Sequence, residues 1–163
     1  MRQLSYEAVE ETFDWLSSID DDDAIDQLID EFGEKQPFVF SYLLAMGEED
    51  FHDEEQEVFL YMGMLTWKVY DQHFSLTKTL SEEDINQVKR SNLGLLEDME
   101  FAKTHEREAL ARGEVENSVQ PELLTYLIEI IEEEGDALKP GNRWLIFAFL
   151  KVLVDAFNQA VAE

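Results

Sequence analysis

The chain has 163 residues, with 38 acidic side chains against 12 basic ones and a formal net charge of −26. That balance excludes nucleic-acid binding, which needs clustered Lys and Arg for phosphate contact, and it disfavours anionic membrane surfaces for the same reason. The lack of cysteine excludes disulfides, thiol catalysis and thiolate zinc sites, while eleven Phe, three Trp and five Tyr supply the apolar area that disordered acidic chains lack.

Apolar residues recur at helical spacing along the chain, and strand-like alternation is almost absent. Ser5 caps a first helix that runs to about Ser17, with Tyr6, Val9, Phe13 and Leu16 on one stripe and Glu7 at its positive start. The run from Asp20 to Asp23 restarts the chain. Asp23 caps a second helix that buries Ile25, Leu28, Ile29 and Phe32 and ends at Gly33. Pro37 opens a third helix, apolar nearly all round over 38–46 and stopped by Gly47. A long fourth helix covers about 53–73, apolar on most sides over 58–70.

Ser81 to Asp84 resembles a capping box. The fifth helix carries Ile85, Val88, Leu95, Leu96 and Met99, and its stripe is interrupted at Asn92 and Gly94, which allows a bend or break there. The mixed-charge segment 101–119 reads as frayed helix and loop. Pro121 opens another helix with Leu123, Leu124, Leu127, Ile128 and Ile131 inward, closed by Gly135. Pro140-Gly141-Asn142 reads as a turn before a last helix from about Arg143 to Val161. The apolar runs 38–46, 58–70 and 144–156 each fall short of the ~20 residues that span a bilayer. Met1-Arg2-Gln3-Leu4-Ser5 has no signal-peptide core, so the cytoplasm is the expected compartment.

Two stretches of the chain echo each other. Gln36-Pro37 with Tyr42-Leu43, and Gln120-Pro121 with Tyr126-Leu127, share an offset of 84. At that offset Glu48-Glu49-Asp50 falls on Glu132-Glu133-Glu134, and Asp71 falls on Asp155. Leu4-Ser5 and Leu80-Ser81 correspond at an offset of 76. The expected fold is all-α: one domain over 1–163, a compact bundle of about seven to eight helices, built from two pseudo-repeated units (1–78 and 79–163) that share one core.

Chemistry-bearing patterns are weak. Glu49-x-x-His52 has di-iron spacing, but His73 and His105 provide no second such pair. Asp20, Asp22, Asp26 and Glu31 overlay a calcium loop, which Ala24 and Ile25 defeat. Glu7, Glu10, Glu11 and Asp14 on the first helix, with Asp26 and Asp30 on the second, suit Mg²⁺, yet no Gly-rich phosphate loop accompanies them. They read as solvated faces. No catalytic residue, metal or cofactor is assigned.

The strongest signal is a pair of acidic turns. One comprises Glu48, Glu49, Asp50, Asp53, Glu54 and Glu57, with Glu55 in the same run; the other comprises Glu132, Glu133, Glu134 and Asp136. The second ends a helix, where carboxylates oppose the macrodipole by about 0.3–1 kcal/mol each. Helix stability alone does not select them. The expectation is a non-catalytic acidic protein that docks a basic partner protein through these ten residues, as inhibitor, immunity or adaptor proteins do. A metal-binding or Mg-dependent bundle enzyme is the alternative, and a homodimeric adaptor a third.

Overall fold

The computed structural model describes residues 2–162. The chain is 83% helical and has no strand among those residues, so it is all-α and compactly packed. Among the described residues nine α-helices, where seven to eight are expected from the sequence, follow one another: α1 (Tyr6–Ser17), α2 (Asp22–Lys35), α3 (Pro37–Asp50), α4 (Asp53–Phe74), α5 (Glu82–Ser91), α6 (Leu93–Phe101), α7 (Thr104–Asn117), α8 (Pro121–Glu133) and α9 (Pro140–Ala162), with a 3-10 turn at Gly135–Ala137.

Short polar side chains and prolines set the helix starts. The Ser5 hydroxyl accepts the Ala8 N–H at 3.1 Å, and Ser81 and Asp84 form a reciprocal box, each accepting the other's backbone N–H at 3.2 and 2.9 Å. Pro37 and Pro121 each occupy a first helical position, where the missing N–H costs nothing.

Several expected boundaries move. Asp21, not Asp23, caps α2. Gly33 and Gly47 stop nothing: α2 runs on to Lys35 and α3 to Asp50. A side chain at Gly47 would meet Gln56 of α4 at 3.3 Å, so this glycine serves helix contact. Gly63 does the same more tightly, because a Cβ there would lie 2.4 Å from Leu43 Cδ1. The helix carrying Ile85 to Met99 breaks at Asn92, where its apolar stripe is interrupted, into α5 and α6. Pro140-Gly141-Asn142 is the first turn of α9.

The largest departure is α7, expected as frayed helix and loop. Its one fully buried side chain is Ala111, so no apolar stripe marks it. Tertiary contact holds it instead. It packs on α8 and α9, and the Arg107 guanidinium donates to the carbonyls of Gly141 at 2.7 Å and Glu100 at 3.2 Å.

α4 and α9 cross at the centre of the bundle. α1 and α3 lie on α4, while α5, α6, α7 and α8 lie on α9; α2 covers α3, and α1 also touches α8. Trp67, Tyr70 and Phe59 of α4 and Phe147 and Phe157 of α9 are fully buried, each contributing roughly 1.5–3 kcal/mol by removal from water. α9 is long and apolar enough to cross a membrane, with a mean hydropathy of 1.6 over its best window. In this fold 61% of that window is buried against the other helices.

Polar ties join distant parts of the chain. Gln36 Oε1 accepts the Leu80 N–H at 2.9 Å and its Nε2 donates to the Lys78 carbonyl at 2.8 Å. Gln120 does the same to Leu4 N–H at 2.8 Å and the Arg2 carbonyl at 3.0 Å. The two glutamines share one backbone conformation, φ −134° and ψ 64° against φ −126° and ψ 63°.

Glu55 is the third tie. Counted in the acidic run by sequence, it is in fact fully buried. It accepts the Lys139 N–H at 2.8 Å, the Asn142 side-chain amide at 2.9 Å and the His52 N–H at 3.2 Å. A buried carboxylate without such donors is strongly destabilising. Here it locks the start of α4 to the start of α9.

A candidate acidic aromatic face on helices α1, α4 and α8

The Glu55 tie brings the α3–α4 corner and the α8–α9 corner to the same end of the bundle. Between α1, α4 and α8 at that end lies a cavity of about 310 Å³. Phe13, Tyr61 and Ile130 give it an apolar surface, and Glu57, Glu133 and Glu134 bring carboxylates to it. Phe13 meets Tyr61 edge-on with ring centroids 6.3 Å apart, and the Tyr61 hydroxyl lies 3.1 Å from the Ser17 hydroxyl. Burial pushes the Tyr61 phenol upward, and the Glu134 charge pushes it further.

The aromatic surface continues along the α1–α8 seam. Tyr126 contacts Phe13 at 5.4 Å and Tyr6 at 5.2 Å, both edge-to-face, geometries that add roughly 0.5–1.5 kcal/mol each. Tyr6 donates its hydroxyl hydrogen to Glu129 Oε2 at 2.6 Å, which pushes the phenol up to about 12. Burial raises the Tyr126 phenol, and the charges of Asp14, Glu10 and Glu133 add to it. α1 and α8 therefore carry acids along both sides of one aromatic ladder.

The ten residues singled out by sequence divide into groups. Glu57, Glu133 and Glu134 line the cavity. Asp53, one turn before Glu57, lies with it on a second groove of about 340 Å³ against Leu43, Leu44 and Gly47 of α3. Glu48, Glu49 and Asp50 are exposed on the last turn of α3 and line neither. The Asp50 carboxyl is raised by burial and by the charge of Glu49. Glu54 and Asp136 are exposed. Glu132 faces α7, where Arg112 bridges it to Glu108. The described ion pairs include none with Glu57, Glu133 or Glu134, and Arg143, on neighbouring α9, is turned to the Gly135 carbonyl at 2.7 Å.

Sequence reasoning missed Glu129, Tyr61 and Tyr126 as parts of this face; Glu10 and Asp14, read as a solvated side of α1, are exposed there and add charge beside Tyr126. One signal was present: the α1 stripe of Tyr6 and Phe13 is wider than burial needs, since both are only partly covered while Val9, Thr12 and Leu16 are buried.

No group of three or more His, Asp or Glu side chains among the described residues converges to hold a metal ion. Glu49 lies at the end of α3, while His52 precedes α4 with its ring 3.4 Å from Glu55 Oε1. Compared with protein-family models, with curated proteins and with solved structures, the chain finds no match.

Proposed function

We propose that this is a non-catalytic acidic helical protein that docks a basic partner protein, in the manner of an inhibitor, immunity or adaptor protein, with the cytoplasm as its compartment. One observation carries the reading. Carboxylates from two acidic runs 76 or more residues apart, Glu57 and the pair Glu133 and Glu134, meet around one aromatic cavity. The described ion pairs give none of the three a base. Glu133 also ends a helix, where its charge opposes the macrodipole. An uncompensated negative surface over apolar rings attracts cations and steers basic proteins at long range.

The experiment compares capture from native lysate at low salt by the immobilised protein and by its Glu133→Lys/Glu134→Lys variant. A basic protein retained by the first, lost by the second and released at high salt supports the reading. Equal retention by both overturns it.

The architecture proposed with it is a duplication, with units 1–78 and 79–163. The paired glutamine ties support this: Gln120 holds Arg2 and Leu4 at the start of the first unit, and Gln36 holds Lys78 and Leu80 across the junction into the second. Burial follows the same offsets. Val9 and Ile85, Tyr42 and Tyr126, and Leu43 and Leu127 are buried pairwise.

A further inference from the structure

We infer that the cavity between α1, α4 and α8 takes one lysine side chain of the basic partner, its ammonium among Glu57, Glu133 and Glu134 and its stem against Phe13 and Tyr61. The inference rests on the docking reading above and deepens it.

The argument comes from the other half of the molecule. Under the two offsets, α1 corresponds to α5 and α8 to α3, so Phe13 corresponds to Lys89, Tyr126 to Tyr42, and Glu133 and Glu134 to Glu49 and Asp50. In the α3–α5 counterpart, the chain lays a cation of its own on the tyrosine: Lys89 Nζ lies 5.7 Å from the centre of the Tyr42 ring, while the described ion pairs join it to neither Glu49 nor Asp50. Asp50 is close enough to raise the Tyr42 phenol, after burial. At the α1–α8 position the tyrosine and both acids are retained, but Phe13 replaces the lysine; Tyr126 touches Phe13 without lining the cavity, whose own tyrosine is Tyr61. Glu57 adds a third carboxylate, where the counterpart position holds Gly141. One half thus holds an ammonium beside a tyrosine ring, and the other presents more negative charge with no ammonium of its own.

The chemistry selects the occupant. A cavity of about 310 Å³ suits one long side chain, being at the lower limit for small-molecule sites. Glu57 comes from α4, Glu133 from the end of α8 and Glu134 from the residue after it, and three separate carboxylates suit the three donors of an ammonium, where the flat fork of a guanidinium pairs with one carboxylate at a time. The methylene stem of lysine packs on apolar rings while its head reaches the acids. A second copy of this chain is disfavoured, because two molecules of charge −26 repel.

The test titrates the isotope-labelled protein at low salt with a short oligolysine peptide, an oligoarginine peptide of equal length, and spermine, following the ring signals of Phe13 and Tyr61. Oligolysine is expected to shift both rings and to bind more tightly than the other two. Glu133→Gln/Glu134→Gln should weaken oligolysine by about tenfold, as loss of close charge partners does. Glu34→Gln/Glu82→Gln removes two exposed carboxylates from α2 and α5 and should weaken it by less than about twofold, because remote charges are screened. Tyr61→Leu, which keeps every charge, should also weaken it. Equal weakening by the two charge variants, shifts confined to other helices, tighter oligoarginine, or tighter spermine each overturns the lysine site while leaving a basic partner in place. Failure of every cation to bind would overturn the docking reading as well.

Discussion

Replacing Gln120 by alanine removes both hydrogen bonds of a fully buried amide. The Leu4 N–H loses its acceptor, and Leu4 is only 3% exposed, so no water replaces it. An orphaned buried donor costs about 1–3 kcal/mol. The Arg2 carbonyl loses its donor too, but Arg2 is exposed and solvent compensates, leaving a net loss of about 1 kcal/mol. Together these give about 2–4 kcal/mol. Gln36→Ala should cost the same within about 1 kcal/mol, because Leu80 is 2% exposed and the bond lengths match. Urea unfolding followed by emission of the buried Trp67 and Trp144 measures both, and hydrogen exchange at Leu4 and Leu80 reports each tie separately. A Gln120→Ala protein as stable as the parent would refute the clamp. A large loss in one variant with none in the other would refute the equivalence of the two halves.

Glu55→Ala leaves the Lys139 N–H and the Asn142 amide without their acceptor and should cost about 3–5 kcal/mol, against less than about 0.5 for exposed Glu54→Ala, both read by urea unfolding. All five phenols (Tyr6, Tyr42, Tyr61, Tyr70 and Tyr126) are raised above 10 in the folded state, chiefly by burial and, for Tyr6, by its bond to Glu129. Folding therefore favours the neutral phenols: their contribution is complete below pH 10 and declines as pH rises beyond it. Absorbance at alkaline pH should show no tyrosine ionising ahead of unfolding, and Glu129→Gln should release Tyr6 first. Asp84 is lowered, mainly by its bond to the Ser81 N–H, so the α5 cap stabilises above the ordinary aspartate range and fades as pH falls through it. Asp84→Asn should cost about 1 kcal/mol at neutral pH and nothing in acid, seen in paired melts.

Where a boundary depends on one side chain bonding its own neighbours, the sequence displays it, except within the Asp20–Asp23 run, where four like residues compete and Asp21 is the cap. Ser5, Ser81 with Asp84, Pro37 and Pro121 all cap or open helices as expected. Boundaries that depend on a distant partner are not displayed. Gly47 looks like a helix stop until Gln56 is seen beside it. α7 carries no clear stripe: it buries only Ala111 fully, covers Leu110 and Val115 in part, and is tied down by the Arg107 bonds to the Gly141 and Glu100 carbonyls. The acidic turns divide along the same line. Periodicity identified the run but not that Glu55 turns inward to α9, that Glu132 turns to Arg112, or that Glu57 shares a cavity with Glu133 and Glu134. Those assignments depend on how α1, α4 and α8 come together, which no local window contains.

Docking at the α1–α4–α8 face is tested most directly by the rate at which the captured basic protein associates, measured at low and at physiological salt. The rate should fall steeply with salt, and Glu133→Gln/Glu134→Gln should slow it while Glu34→Gln/Glu82→Gln leaves it nearly unchanged. A rate indifferent to salt, or slowed equally by both pairs, would contradict a recognition surface at this end of the bundle.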